Sequence, residues 1–236
     1  MKTLVIIPAY NEEKNIVSTV EELRTLFPQG DFVVVNDGSS DATAELCRRM
    51  GYPLLDLPVN LGIGGGVQTG YRYAREHGYD AAVQFDADGQ HMAKYIPALL
   101  APLERGEADL VIGSRFRDQE SYRSAAARRM GIGFLSGLVR LLCGVEVRDI
   151  TSGMRAADRE AIALFAGEYA QDYPEPESVL AAGMEGLRIA EIGVEMRPRQ
   201  GGESSITPLR GVYYMIKVSL ALVLRRVFER RNKHAE

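Results

Sequence analysis

A chain of 236 residues with 46% hydrophobic and 25% charged residues has the composition of a globular unit large enough to bury a sizeable core. Its 28 Lys and Arg stand against 32 Asp and Glu, a net charge of −4, which argues against bulk nucleic-acid binding. The only two cysteines, Cys47 and Cys143, lie far apart in apolar surroundings and predict reduced core thiols in a reducing compartment, not a disulfide framework or a zinc site.

The apolar run in Met1–Pro8 is too short for a signal peptide and reads as a first strand, Leu4–Ile7. A helix over Glu13–Leu26 follows, with Asn11 available as its cap. Phe32–Asn36 is a second strand, Ala42–Met50 a helix, and Leu54–Leu57 a weaker third strand. A glycine-rich turn then leads into a helix ending near His77, before strands at Ala81–Phe85 and Leu110–Gly113 flank an Ile96–Leu103 helix. Val/Ile/Leu-rich strands separated by helices predict an α/β fold with a mainly parallel central sheet and helices on both faces. The second half reads as helices at Arg128–Cys143, Asp158–Phe165 and Val179–Glu185, then a late strand at Arg188–Met196.

From Thr207, apolar residues Leu209, Tyr213, Ile216, Leu220, Val223 and Val227 recur at helical spacing beside a basic flank ending in Arg230, Arg231 and Lys233. Lys217 interrupts the stretch, which falls short of the ~20 residues of a membrane span. An amphipathic helix over 207–236 is therefore expected, docking on a membrane surface or a small membrane protein. Packing on the core or a homo-oligomer would also cover the apolar stripe. The expected division is residues 1–206 as the main domain and 207–236 as this basic appendage.

The ends of the predicted strands carry the chemistry. Five polar or glycine-rich loops fall on one rim: Pro8–Glu13, Asn36–Asp41, Asn60–Gly66, Phe85–His91 and Gly113–Arg115. In open α/β sheets that rim is where ligands bind. The glycine loop fails the dinucleotide fingerprint, because Val67 and Thr69 stand where the third glycine is required, and no Gly-Lys-Ser/Thr follows as in a phosphate loop. The sharpest signal is Asp86-Ala87-Asp88-Gly89-Gln90. Two carboxylates so close repel each other unless a cation stands between them. Hard oxygen ligands with room for phosphate suit Mg²⁺ or Mn²⁺.

With these residues in place, the chain resembles the inverting family 2 glycosyltransferases of GT-A fold, most closely the polyprenyl-phosphate sugar synthases of the dolichyl-phosphate mannose synthase kind. The matching elements are Ile7–Glu12, Val35–Asp41, Asn60–Gly64, Phe85–His91, Gly113–Phe116, Asp149–Arg155 and Arg199 with Gly202–Ser205, in the family's order. The resemblance implies that Pro8, Tyr10, Glu12, Asp37, Gly62 and Asp86 bind the nucleotide sugar. It implies that Asp86, Asp88 and Gln90 hold the metal, that Asp149 lies in the sugar and metal region, and that Arg115 and Arg199 meet phosphates of donor or acceptor. One of Arg128 and Arg129 would do the same.

Where many relatives with hydroxyl acceptors carry a Glu-Asp base, this chain has Gln171-Asp172-Tyr173-Pro174-Glu175-Pro176-Glu177. Asp172, Glu175 and Glu177 are candidates for such a base, in a loop that the two prolines make unusual. A phosphate monoester, with its second pKa near ~6, is already a dianionic nucleophile at neutral pH and needs no base. The resemblance thus implies a metal-dependent transfer from a nucleotide sugar to an undecaprenyl- or dolichyl-type phosphate, by an enzyme peripheral to the inner face of the cell membrane. Two alternatives stand beside it: the same donor with a hydroxyl acceptor on a surface glycan, and a nucleotide-sugar-binding subunit without activity.

Overall fold

The computed structural model describes the backbone of residues 1–116, 126–198 and 208–233, and the side chains of 1–116, 129–198 and 214–228. Its strands are β1 Thr3–Ala9, β2 Asp31–Asn36, β3 Leu54–Asp56, β4 Ala81–Gln84, β5 Leu110–Ser114, β6 Arg155–Asp158 and β7 Ile189–Gly193. Its helices are α1 Ile16–Leu26, α2 Thr43–Arg49, α3 Gly62–Glu76, α4 Ile96–Glu104, α5 Ala126–Cys143, α6 Arg159–Gly167, α7 Pro174–Met184 and α8 Pro208–Lys233.

Among the described residues the strands form one seven-stranded sheet in the order β3-β2-β1-β4-β6-β5-β7. All run in one direction except β6, which is antiparallel to both β4 and β5. Because β1 is buried along its whole length, it can carry apolar side chains on both faces, as a doubly covered parallel sheet requires. Leu4, Ile6, Val33, Val35 and Ile112 face one core with α3, α5, α6 and α7. Val5, Ile7, Val34, Val83 and Val111 face the other, with α1 and α4. Strand order reverses between β1 and β4, which sets a crevice at their C-terminal ends.

Several local expectations change. The glycine-rich segment is not a turn before a helix but the first turn of α3 itself. Asn11 does not cap α1, which begins at Ile16 after Asn15 with no side-chain cap. The two prolines do not make a loop: Pro174 opens α7, where its missing N–H has no helical partner to lose. The strand β6 was not expected at all.

The helix α8 packs on α5 and α7 through Val218 and Leu222, both fully buried. Its Tyr214 ring meets Tyr173 edge-on at 4.6 Å. Its other side leaves Ile216, Leu220, Val227 and Phe228 exposed, and on neighbouring α5 Met130, Phe134 and Leu141 are exposed as well. Among the described residues no helix is long and apolar enough to cross a membrane.

Candidate active site

The crevice is walled on one side by the loops after β1 and β2, which are laced together. Asn11 takes a left-handed conformation with φ 56°, one that asparagine tolerates better than most residues. Its N–H donates to Ser39 Oγ at 2.9 Å, and its Oδ1 accepts from the Ser40 N–H at 2.8 Å. The Glu12 N–H donates to Thr43 Oγ1 at 2.9 Å, while Glu12 Oε2 accepts from Asn15 Nδ2 at 2.8 Å. The Tyr10 ring, 51% exposed, is left standing at the rim. Asp37 is buried, and its Oδ1 accepts from the Leu61 N–H at 2.7 Å, so it fixes the entry to α3. A Cβ on Gly66 would lie 3.8 Å from Asp37 Cβ and 4.0 Å from Pro8 Cβ, which brings Pro8, Asp37 and the start of α3 into one corner.

At that start Gly62 has φ +81°, and the Gly64 N–H donates to Gln171 O at 3.1 Å. The approach admits only glycine, since a Cβ on Gly64 would fall 1.9 Å from Ala170 O. The helix thereby holds the segment leading into α7 against the rim.

Asp86 and Asp88 leave the C-terminal end of β4 beside the β1 loop, both partly exposed. Gln84 Nε2 donates to Asp86 Oδ1 at 3.0 Å. The Asp86 N–H donates to His91 Nδ1 at 2.9 Å, which leaves the ring proton on Nε2, 3.6 Å from Asp86 Oδ2. Gly153 supplies a bare wall on the other side: a Cβ there would lie 2.8 Å from Asp86 Oδ2. Asp88 Oδ1 accepts from the Gln90 N–H at 3.0 Å. Gln90 in turn exchanges hydrogen bonds with the Arg197 backbone, donating from Nε2 at 3.3 Å and accepting at its carbonyl at 2.9 Å.

After β5, Arg115 forms a two-pronged pair with Asp149, Nε to Oδ2 and Nη2 to Oδ1, both 2.7 Å, and its N–H also donates to Oδ2 at 2.9 Å. Both side chains are buried, so the pair is structurally demanding and its two charges offset each other. Glu191 on β7 accepts from the Arg148 and Asp149 N–H groups at 2.9 Å each and holds that loop down.

The three acids near the start of α7 part company. Asp172 is largely exposed and paired with Lys217 of α8. Glu177 is pushed above the usual carboxylate range by burial, and the charges around it are Arg225, Asp172, Glu168 and Lys217, on the α8 side. Glu175 is the one turned inward. Burial raises its carboxyl too, Arg155 opposes that rise, and Asp86 and Arg115 lie within its electrostatic reach. The structure therefore gathers Pro8, Asp37 and Gly62 on one flank, Asp86, Asp88 and Gln90 at the centre, and Arg115, Asp149 and Glu175 on the other. It does not bring Asp172 to them. Arg199 lies outside the described residues, as does the side chain of Arg128, and Arg129 is exposed on α5.

Among the described residues no three His, Cys, Asp or Glu side chains converge as a metal cage. Two part-exposed carboxylates at a rim fit a different kind of cation site. Magnesium is commonly held by one or two carboxylates with substrate phosphates and waters completing the shell, and the donors present here suit Mg²⁺ or Mn²⁺.

The sequence pattern of glycosyl transferase family 2 matches residues 4–165. The chain belongs to this family. An undecaprenyl-phosphate mannosyltransferase of Micrococcus luteus is 34% identical to this family 2 glycosyltransferase, over 88% of this chain and 88% of the relative. A UDP-N-acetylglucosamine–dolichyl-phosphate N-acetylglucosaminyltransferase of Methanococcus voltae is 30% identical over 80% and 83% of the two chains. Among solved structures, glucosyl-3-phosphoglycerate synthase of Mycobacterium tuberculosis, in complex with Mn²⁺, UDP-glucose and phosphoglyceric acid, superposes with a TM-score of 0.72 at 24% identity. That match covers 95% of this chain and 79% of the synthase. It establishes the GT-A-like fold of the family 2 enzyme.

Gln84, His91, Arg155 and Glu191 were not singled out by the sequence as site residues. His91, Arg155 and Glu191 carry a weak signal because each acts through backbone groups that only the fold brings to it, whereas Gln84 acts on Asp86 two residues away.

Proposed function

We propose that this glycosyltransferase moves a sugar from a nucleotide sugar to a polyprenyl phosphate, in one displacement with inversion. The observation that carries the reading is the meeting of Asp86 and Asp88 with the β1 and β2 loops at the point where strand order reverses, in a chain whose relatives are named for undecaprenyl- and dolichyl-phosphate acceptors. Tyr10, Pro8, Glu12 and Asp37 line the nucleotide side. Asp86, Asp88 and Gln90 would hold Mg²⁺ or Mn²⁺, which supplies Lewis-acid stabilisation of the leaving diphosphate. Asp149 and Arg115, fixed on each other, set the floor of the sugar side, and Arg199 would meet a phosphate of donor or acceptor. A lipid phosphate brings its own nucleophilic oxygen, so Asp172 is not needed as a base and its pairing with Lys217 costs the reaction nothing. Aligning donor and acceptor then provides much of the rate gain.

The exposed apolar residues of α5 and α8 with the basic end of α8 support docking on an anionic membrane face or against a small membrane protein. Residues 1–206 form the catalytic unit and 207–236 the docking appendage. The inward-facing Glu175 favours a second reading, transfer to a hydroxyl acceptor with Glu175 as base.

The test is a transfer assay with purified protein, Mg²⁺ or Mn²⁺ and a panel of nucleotide sugars, with and without a polyprenyl phosphate. Chelator-sensitive transfer of sugar into the lipid phase supports the proposal. Turnover only with a glycan acceptor selects the second reading, and nucleotide binding without turnover selects a non-catalytic subunit.

A further inference from the structure

The largest fully buried side chain among the described residues is a charged one, Arg155, the first residue of β6, at 1% exposure. A guanidinium this deep normally sits on a carboxylate, yet no ion pair is formed by Arg155 among the described residues. Its Nε donates to Ser152 O at 2.7 Å and its Nη2 to Ile150 O at 2.9 Å. Its Nη1 donates to Glu175 O at 2.9 Å and to Ser178 Oγ at 2.6 Å. Ser178 Oγ also donates to Glu175 O at 3.0 Å, which closes the network. All four acceptors are neutral.

Two separate pieces of the rim are thus tied to one group. The 150–152 carbonyls belong to the turn that carries Asp149 at one end and Gly153, against the Asp86 carboxylate, at the other. The Glu175 carbonyl and the Ser178 hydroxyl belong to the first turns of α7, which presents the Glu175 side chain. Neutral groups could brace two loops at lower cost, because burying an ion without a direct counter-ion is expensive. The planar five-donor fork explains the geometry, but not why the charge is kept. A neighbouring acid does: Glu175, on the α7 turn that the fork holds, feels both the Arg155 cation and the Asp86 carboxylate.

We infer that Arg155 is a positioning residue of the transfer site: its guanidinium sets the 149–153 turn against Asp86, fixes the start of α7, and supplies the resident positive charge under the cluster of carboxylates. This deepens the proposed function and rests on it for the identity of the ligand, though the geometry of the clamp does not depend on that reading.

The experiment uses the full chain with Arg155→Lys, Arg155→Met and Ser178→Ala. Three quantities are read: the thermal midpoint, hydrogen exchange resolved by segment without ligand, and calorimetric affinity for UDP and GDP with Mn²⁺ alongside kcat and KM. Arg155→Met is expected to speed exchange in 149–154 and 174–178 together, and to weaken nucleotide affinity and kcat by ten-fold or more. Arg155→Lys, which keeps the charge and loses the fork, is expected to recover part of the affinity while both segments remain loosened. Ser178→Ala removes one leg and is expected to lower kcat three- to ten-fold with the midpoint nearly unchanged, which keeps the idea testable if Arg155→Met fails to fold. Folded variants with wild-type affinity, kcat and exchange would overturn the inference, as would loosening of only one of the two segments in the Arg155 variants. If the wild type binds neither nucleotide, the functional reading fails, and exchange in the two segments alone decides the role of Arg155.

Discussion

Gly64 and Gly137 both lie in helices, and the same substitution at each should have opposite signs. At Gly64 an added Cβ would stand 1.9 Å from Ala170 O, 2.6 Å from Gln171 Cα and 2.7 Å from Gln171 O. These are backbone atoms, so no rotamer change relieves the clash. The 170–171 segment must retreat by at least the difference between 1.9 Å and the 3.0 Å that real Cβ atoms respect. Overpacking of this kind costs ~1–3 kcal/mol, and loss of the Gly64 N–H to Gln171 O bond adds about 1 kcal/mol. Helix propensity returns at most about 1 kcal/mol, so Gly64→Ala should destabilise by about 1–3 kcal/mol. At Gly137 no atom of the described residues lies within 4 Å of the added Cβ, and propensity acts alone. Gly137→Ala should stabilise by about 0.5–1 kcal/mol. Equilibrium unfolding in urea measures both. A Gly64→Ala enzyme that gains stability as Gly137→Ala does would refute the close contact between α3 and the entry to α7. Since that contact positions the segment before Glu175, the same variant should also lose transfer activity out of proportion to its fraction unfolded.

Other outcomes follow from single contacts. Asp88→Asn should cut metal-dependent transfer by at least ten-fold while leaving the unfolding midpoint nearly unchanged; full retained activity would exclude its metal role. The Asp109 carboxyl is held below the usual range by hydrogen bonds from Arg188, so its stabilisation exists above the unfolded value of about 3.9 and is lost as pH falls through the lower folded value. Asp109→Asn should therefore cost about 1–2 kcal/mol at neutral pH, with the gap from wild type closing in acid unfolding curves below about pH 4. Glu175, raised by burial, has the reverse sign: Glu175→Gln should match the wild type in stability at low pH and exceed it as pH rises through the folded value. With a lipid-phosphate acceptor that variant should keep activity within ten-fold, whereas a hundred-fold loss in a transfer assay would favour the hydroxyl reading. Leu220→Glu on the exposed side of α8 should release the protein from anionic vesicles in a flotation assay without lowering its melting temperature.

Much of the rim was legible because its signals are local. Apolar runs ending in Asp37, Asp86 or Arg115 announce strand ends whatever the rest of the chain does, and the parallel order then puts them on one edge. The strand β6 was hidden because Arg-Ala-Ala-Asp is neither an apolar run nor an alternating pattern, and its pairing comes from β4 and β5 far away in sequence. The glycines of α3 looked like a turn because their low helix propensity is outweighed by packing that only glycine permits. The prolines of α7 looked like loop residues because the first turn of a helix tolerates them, a distinction that periodicity cannot draw. The Arg115–Asp149 pair spans 34 positions, and no spacing rule reaches that far.

The reversed strand β6 also acts as a ruler. By lying between β4 and β5 it separates their ends by two strand spacings, roughly 9–10 Å, so the carboxylates after β4 and the arginine after β5 leave the sheet that far apart. Its register of four paired residues, Gln84 opposite Arg155 through Ala81 opposite Asp158, is the graduation on that ruler. A slip of one residue would turn Arg155 to the opposite face of the sheet and carry Gly153 away from Asp86. The width of the substrate cleft and the charge beneath it are thus set by the same short strand.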